Sequence, residues 1–178
     1  MDIRVIGLGN VLMGDDGFGP FVIETLLAEY DFAESVSVID AGTPGLDLAP
    51  FLIGADAVIV IDSVRADAPP GTQRLYRHDA ILAHPPQPRL GPHDPGLKQT
   101  LLALEFAGRG PTDVVLVGVV PKTVAPSARL SSVVRGAVPA VVNACVAELD
   151  RLGAPPRPRA TPSVVSPFWL ADASPPAL

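Results

Sequence analysis

Three side chains in this sequence combine into a ligand set: Asp16, Asp62 and His93. Two carboxylates and one imidazole form a mixed O/O/N group. Such a group suits a borderline divalent ion such as nickel or zinc, and it leaves coordination positions open for a second molecule. Asp16 stands in a glycine-rich loop that runs from Gly7 to Gly19. Asp62 ends the apolar run Ala57-Val58-Ile59-Val60-Ile61. A carboxylate at a strand end costs little only where it emerges from the sheet or is paired. His93 precedes a helix start at Asp94-Pro95. The positive end of a helix dipole disfavours imidazolium, and neutral imidazole is the form that binds metal. Each residue has a plainer alternative. Asp15 and Asp16 are placed to cap a helix, Asp62 to make a turn, and His93 to sit exposed in a loop. One aspartate is enough for a cap, so Asp15 is assigned to capping or loop stabilisation and Asp16 to the chemistry. His78 and His84 are read as an edge-strand and a loop histidine without a role.

Other chemistries lack their residues. There is no H-E-x-x-H pair for a zincin-type centre and no G-x-S-x-G elbow. The single cysteine, Cys145, lies among Val141, Val142 and Val146 and reads as a small core residue. The first loop, Gly7-Leu8-Gly9-Asn10-Val11-Leu12, puts a leucine where a dinucleotide fingerprint needs its third glycine. The two carboxylates that follow would repel a diphosphate. Peptidyl-tRNA hydrolases also open on a strand and Gly-Leu-Gly-Asn, but continue with Asn-Pro-Gly and a histidine that this chain lacks. What remains is a loop that presents a carboxylate at the carboxyl end of a parallel strand, where open α/β sheets hold their ligands.

The elements that must position these residues alternate between strand and helix patterns, the mark of a parallel sheet with covering helices. Strands are expected at Ile3 to Leu8, Ser35 to Asp40, Ala57 to Ile61 and Val114 to Val120, with an edge strand at Gln73 to Arg77. Helices are expected at Gly17 to Tyr30, at Leu46 to Leu52, and from Asp94-Pro95 onward. That last helix should bury Leu97, Leu101, Leu104 and Phe106. Ser131 to Leu152 reads as one closing helix, stopped by Gly153. Ala83 to Pro92 is a proline-rich loop. In a doubly wound order the first and third strands are neighbours, which would bring Asp62 beside the Asp16 loop.

The chain of 178 residues fits one domain over 1–153, followed by a proline-rich tail over 154–178. Regular structure is not expected in that tail, where proline removes backbone donors. Its one cluster of large apolar residues, Phe168-Trp169-Leu170, is suited to docking on the domain or a partner. The formal net charge of −6 argues against nucleic-acid binding, which needs a basic face. One cysteine excludes an internal disulfide and points to the reducing cytoplasm. No signal peptide is read at the start, and no apolar run is read as approaching the roughly 20 residues of a membrane span.

The ordered set Gly7-Leu8-Gly9-Asn10, Asp15-Asp16-Gly17-Phe18-Gly19, Asp40-Ala41-Gly42-Thr43, Ile61-Asp62, Pro92-His93 and Gly118-Val119-Val120-Pro121 resembles the hydrogenase maturation endopeptidases. The resemblance spans residues 3–152. It implies a three-layer sandwich of the phosphorylase/hydrolase-like kind, a twisted, mainly parallel sheet with helices on both faces. The implied activity is an endopeptidase, classed with the aspartyl proteases and metal-dependent. It removes the C-terminal extension of a hydrogenase large-subunit precursor after nickel insertion. The family's three metal-contacting positions fall on Asp16, Asp62 and His93. The D-G-G-T stretch associated with substrate recognition falls on Asp40, Gly42 and Thr43, with Ala41 in place of one glycine. Nickel is then supplied by the substrate and no permanent cofactor is expected. The protein is expected to act as a cytoplasmic monomer, away from nucleic acid and membranes. Two rivals share the scaffold: a non-proteolytic, metal-dependent assembly chaperone, and an endopeptidase with a different precursor.

Overall fold

The structure, a computed structural model, describes residues 1–83, 96–163, 165 and 169. In chain order the elements are β1 (Ile3–Leu8), α1 (Phe18–Glu29), β2 (Tyr30–Asp31), β3 (Val36–Gly42) and α2 (Ala49–Leu52), then β4 (Ala57–Ser63), β5 (Gln73–Arg77) and α3 (His78–Ala83). There follow α4 (Leu97–Phe106), β6 (Asp113–Val119), α5 (Ser132–Arg135), α6 (Val138–Arg151) and β7 (Arg157–Pro158). Short 3-10 turns occupy Gly14–Gly17 and Gly45–Leu48.

The main sheet has the order β3-β1-β4-β6-β5. Its first four strands are parallel, and β5 runs antiparallel to β6 at the edge. The period-2 geometry of a strand sends alternate side chains to opposite faces. On one face, Ile3, Val5, Ile59, Ile61, Val115 and Val117 pack under α1 and α6. On the other, Ile6, Val58, Val60, Val114 and Leu116 pack with residues of α2, α3 and α4. Strands buried on both faces need continuous apolar runs, which is why the central segments do not alternate in polarity. The three-layer α/β sandwich implied by the sequence is the fold observed.

Several elements differ from expectation for identifiable reasons. Phe106 is 97% exposed. It lies two residues beyond Leu104, about 200° round the helix from the stripe that buries Leu101 and Leu104. The closing helix is broken between α5 and α6. Pro139 stands in the first turn of α6, and in an unbroken helix its ring would meet the carbonyl of Arg135. By length and composition Ser132–Arg151, 20 residues with an 18-residue window of mean hydropathy 1.4, would suffice to cross a membrane. Here its apolar side, including Val138, Val141, Val142, Cys145 and Leu149, faces the sheet. His78 opens α3 rather than ending an edge strand. Its Nε2 lies 2.7 Å from Glu105 Oε1 on α4, at ion-pair distance but without hydrogen-bond alignment. His84, the proposed loop around it, and the helix start at Asp94-Pro95 lie outside the described residues.

The edge strand is tied to α6 by charge. Arg77 donates to both oxygens of Glu148 at 2.7 and 2.6 Å. Arg151 donates to Glu148 at 2.8 Å and to Asp113 at 2.7 Å. Burial pushes the Glu148 carboxyl upward, but the bonds and charges of Arg77 and Arg151 outweigh it and hold the group below its ordinary value. A folded-state value below the unfolded one stabilises the fold above the ordinary carboxylate range. That contribution fades as pH falls through the folded value. Arg77→Met should cost about 1–2 kcal/mol at neutral pH, less than a fully buried pair because Arg77 is half exposed and Arg151 remains. Urea unfolding of both forms at pH 7 and pH 3 checks this. The difference should shrink at the lower pH, and a difference that grows there would contradict it.

Candidate functional site

The first loop is shaped by glycines that let α1 sit directly on the strand ends. A Cβ on Gly19 would fall 2.6 Å from the carbonyl oxygen of Ile61 and also into that of Leu8. A Cβ on Gly7 would come within 2.7 Å of the carbonyl of Gly19. Gly9 has φ 136°, and a side chain there would collide with the backbone oxygen of Asp16. These glycines therefore serve close packing of helix on strand, not approach to a pyrophosphate. The first turn of α1 covers the carboxyl ends of both β1 and β4.

Asp15 and Asp16 occupy the 3-10 turn between Gly14 and Gly17, and both are buried. Neither caps α1, whose N-cap is Gly17 with no side-chain bond. Asp15 is fully buried and reaches across to the segment after β6. Its Oδ2 accepts from the backbone N–H of Lys122 at 2.8 Å and of Thr123 at 3.0 Å, and from the Ser131 hydroxyl at 2.9 Å. Its Oδ1 accepts from Ser131 N–H at 2.6 Å. Asp15 is a loop-stabilising residue, and Lys122 takes part through its backbone alone.

Asp16 is 4% exposed, and its Oδ2 accepts the backbone N–H of Asn10 at 2.7 Å. The Asn10 side chain in turn accepts from Leu12 N–H at 2.9 Å, which closes the loop as an Asx turn. The local sequence gave no sign of this support, because Asn10 acts through its backbone toward Asp16.

Asp62 is the sixth residue of β4, just past Ile61, which pairs with Gly7 of β1. It is half-buried, and its Oδ1 accepts its neighbour's N–H, that of Ser63, at 3.0 Å. Asp16 and Asp62 thus meet the same end of the sheet, on the loop and the strand end of adjacent parallel strands. Ser63 was not singled out from sequence. Its hydroxyl is buried and finds no hydrogen-bond partner among the described residues. His93 lies outside the described residues. The first described residues after it, Gly96 and Leu97, open α4. The six residues 107–112 join the far end of α4 to the start of β6, so α4 begins toward the carboxyl end of the sheet.

Asp40, Gly42 and Thr43 lie at the end of β3, on the other side of β1. Asp40 is exposed, and its Oδ1 accepts Gly42 N–H at 2.9 Å. Gly42 adopts φ 58°, and its carbonyl accepts Gly9 N–H at 2.8 Å. The register of β1 on β3 slips here, from Gly7 opposite Asp40 to Leu8 opposite Gly42. Ala41 is the extra residue of this bulge and keeps a negative φ. The left-handed position falls on Gly42, so an alanine at 41 is accommodated. Thr43 is exposed beyond it.

Among the described residues no three His, Cys, Asp or Glu side chains cluster to hold a metal. The carboxylates nevertheless have the donor chemistry to take part of a metal's shell. Cys145 is fully buried in α6, and burial, with Glu148 beside it, pushes its thiol up to about 12. It has neither the access nor the thiolate character of a nucleophile.

Comparison with known proteins agrees with this fold. The hydrogenase-maturating endopeptidase HybD from Escherichia coli superposes with a TM-score of 0.81 at 31% identity, covering 89% of this chain and 98% of that one. The hydrogenase expression/formation protein HupD of Rhizobium leguminosarum bv. viciae is 30% identical, over 96% of this chain and 85% of its own. HoxM of Cupriavidus necator is 34% identical, over 88% of this chain and 78% of its own. Residues 20–148 match the family model HycI, hydrogenase maturation protease. The class is that of endopeptidases built on a mainly parallel, three-layer α/β sandwich. Within it, this chain belongs to the hydrogenase maturation protease family.

The two adjacent aspartates should separate in their effect on stability. Asp15→Ala removes the acceptor of three part-buried backbone donors and should cost about 2–3 kcal/mol. Asp16→Asn keeps an acceptor for Asn10 and should cost less than about 1.5 kcal/mol. Urea midpoints of the two variants decide between them, and a larger loss at Asp16 would reverse the assignment.

Proposed function

We infer that this protein cuts a C-terminal extension from a hydrogenase large-subunit precursor, and that it does so only once nickel is in place on that precursor. The observation that carries this reading is the convergence of Asp16 and Asp62 at the carboxyl ends of adjacent central strands, on a backbone that glycines and Asp15 hold rigid. His93 is proposed to complete the set as the nitrogen donor. Nickel belongs to the substrate and arrives on the precursor's own ligands; the protein carries no permanent metal. Asp16, Asp62 and His93 occupy positions in the nickel shell that the precursor leaves open.

Metal dependence follows from charge. A precursor without nickel would leave the two carboxylates at this end of the sheet with no cation to offset them. The loaded precursor relieves that repulsion, so binding differs between the two forms by the free energy of the missing charge. Docking then fixes the scissile bond in place, a contribution of orientation rather than of a new reactive group. Cleavage adds one water across the peptide bond. It leaves a carboxylate on the mature subunit and an amine on the released peptide. The exposed Asp40–Thr43 bulge beside the same end of the sheet is suited to contact the precursor chain.

The same reading makes the protein a cytoplasmic monomer. A lone cysteine held as a buried thiol fits a reducing compartment, and the acidic balance of charge does not favour nucleic acid.

The test offers purified precursor with and without nickel and follows release of the extension by mass spectrometry. Wild type should cut the loaded form at least about a hundredfold faster, the scale of two to three kcal/mol of differential binding. Asp62→Ala and His93→Ala should abolish that preference and most of the activity while keeping the urea midpoint. Equal cleavage of loaded and empty precursor by wild type rejects the gating. A partner that binds but keeps its full mass rejects the protease reading in favour of an assembly chaperone.

A further inference from the structure

An open sheet edge is a row of unpaired backbone donors and acceptors, which chains blunt with charge, proline or brevity. The two edges of this sheet differ. β5 is five residues long and carries Arg74 and Arg77. β3 is seven residues long, with Asp40 its one charge and no proline. Ile3 N–H donates to the carbonyl of Ser35 at 2.9 Å. Successive residues of a strand turn their N–H and C=O groups to alternate sides. Ser37 and Ile39 therefore face β1, while the backbone groups of Val38 and Asp40 point outward. Among the described residues no strand pairs with that side.

Two nearby segments turn away from it. The connection from β3 to β4 runs inward, where Leu48 and Leu52 pack with Ile6 of β1. The described part of the tail is engaged elsewhere. There β7 pairs antiparallel with β2, and the N–H groups of Arg159 and Ser163 donate to the carbonyls of Glu29 and Ala28 at 2.8 and 3.0 Å, capping the end of α1.

The open edge leads into the candidate site. Beyond the bulge at Ala41, the Gly42 carbonyl holds Gly9 N–H in the loop that carries Asp16. In the function proposed above, the extension is the part of the precursor that follows the cut. A cut at the carboxyl ends of β1 and β4 starts the extension there, so it descends the edge antiparallel to β3. Antiparallel pairing is the more stable kind. A strand outside β3 lies three strand spacings, about 14 Å, from β4. About four extended residues span that distance. Exposed carboxylates flank the edge, Glu34 before it and Asp40 near its end. A second copy of this chain would bring the same carboxylates to the edge, and like charges across a strand pair destabilise it. An extension with neutral or basic side chains meets no such cost.

We propose that the open edge of β3 binds the precursor's C-terminal extension as an added antiparallel strand, through the outward N–H and C=O groups of Val38 and Asp40. This rests on the function proposed above. Main-chain bonds supply the affinity, and the straightened extension directs the bond to be cut toward Asp16 and Asp62.

Proline at an outward-facing edge position removes one donor and leaves the ladder to β1 intact. With nickel-loaded precursor, Val38→Pro should raise KM about tenfold and change kcat less than about twofold, the scale of one lost backbone bond with its partner left unpaired. Val38→Ala keeps the N–H and should leave KM within about twofold. A second measurement needs neither cleavage nor a variant. A synthetic peptide of the extension's sequence, added to the wild-type protein, should slow amide exchange at Val38 and Asp40 about tenfold while the amides of β5 keep their rates. Unchanged KM in folded Val38→Pro, or equal losses in Val38→Pro and Val38→Ala, overturns the backbone pairing. Unchanged exchange at Val38 and Asp40 overturns it too, and decides alone where Val38→Pro does not fold. Exchange already slow without peptide, and faster on dilution, assigns the edge to a second copy instead. A precursor left uncut by wild type defeats the function, while exchange with the peptide still judges the edge.

Discussion

A carboxylate sealed from water is costly unless donors surround it, and Asp15 is sealed completely. Its four bonds come from Lys122, Thr123 and Ser131, more than a hundred residues along the chain. They join the loop after β1 to the segment after β6. In the sheet, β4 lies between those two strands. The Asp15 bridge therefore passes across the end of the strand that carries Asp62. Three separate pieces of chain are held in one arrangement there by the requirement to satisfy one buried charge.

The glycines complete this constraint from below. With side chains at 7, 9 or 19, α1 could not lie on β1 and β4, and the turn before it would stand away from the sheet. Adjacent aspartates on a turn this closely held have different tasks. Asp15 spends its oxygens inward on backbone donors. Asp16 receives the Asn10 N–H on its Oδ2 at the strand ends. Loop support and ligand chemistry thus fall on neighbouring positions, and exchanging them would require the turn to rotate.

How much of this could be read from sequence depends on the range of the interaction responsible. Runs such as Ala57 to Ile61 are set by burial on both faces, a local signature, and the strands were legible from it. The neighbourhood of Asp62 and the first loop followed from the strand order of a doubly wound sheet. Phe106 was misread because apolar composition was followed past the point where the helix stripe had turned away. The break at Gly136 needed attention to Pro139 within an otherwise helical run. Three of Asp15's four bonds left no trace in the sequence, since backbone N–H groups carry no residue identity. The order of residues 154–163 in the tail was missed for the same reason. Its prolines indicate extended chain, but the acceptors that order it are the free carbonyls at the end of α1.

Selective reading of a charged cargo, as proposed for this site, needs stiffness more than affinity. Two carboxylates on flexible loops would relax apart when no cation arrived, and the repulsion that distinguishes empty from loaded precursor would vanish. Discrimination survives only if separating them costs more than the repulsion itself. Asp15 sets that cost on one flank of the turn, and the close-packed glycines set it beneath. The helix behind the turn is capped at its far end by the chain's own tail. Each of these features looks structural when taken alone. Together they keep Asp16 from yielding, which is the condition under which a missing metal can be sensed as a missing charge.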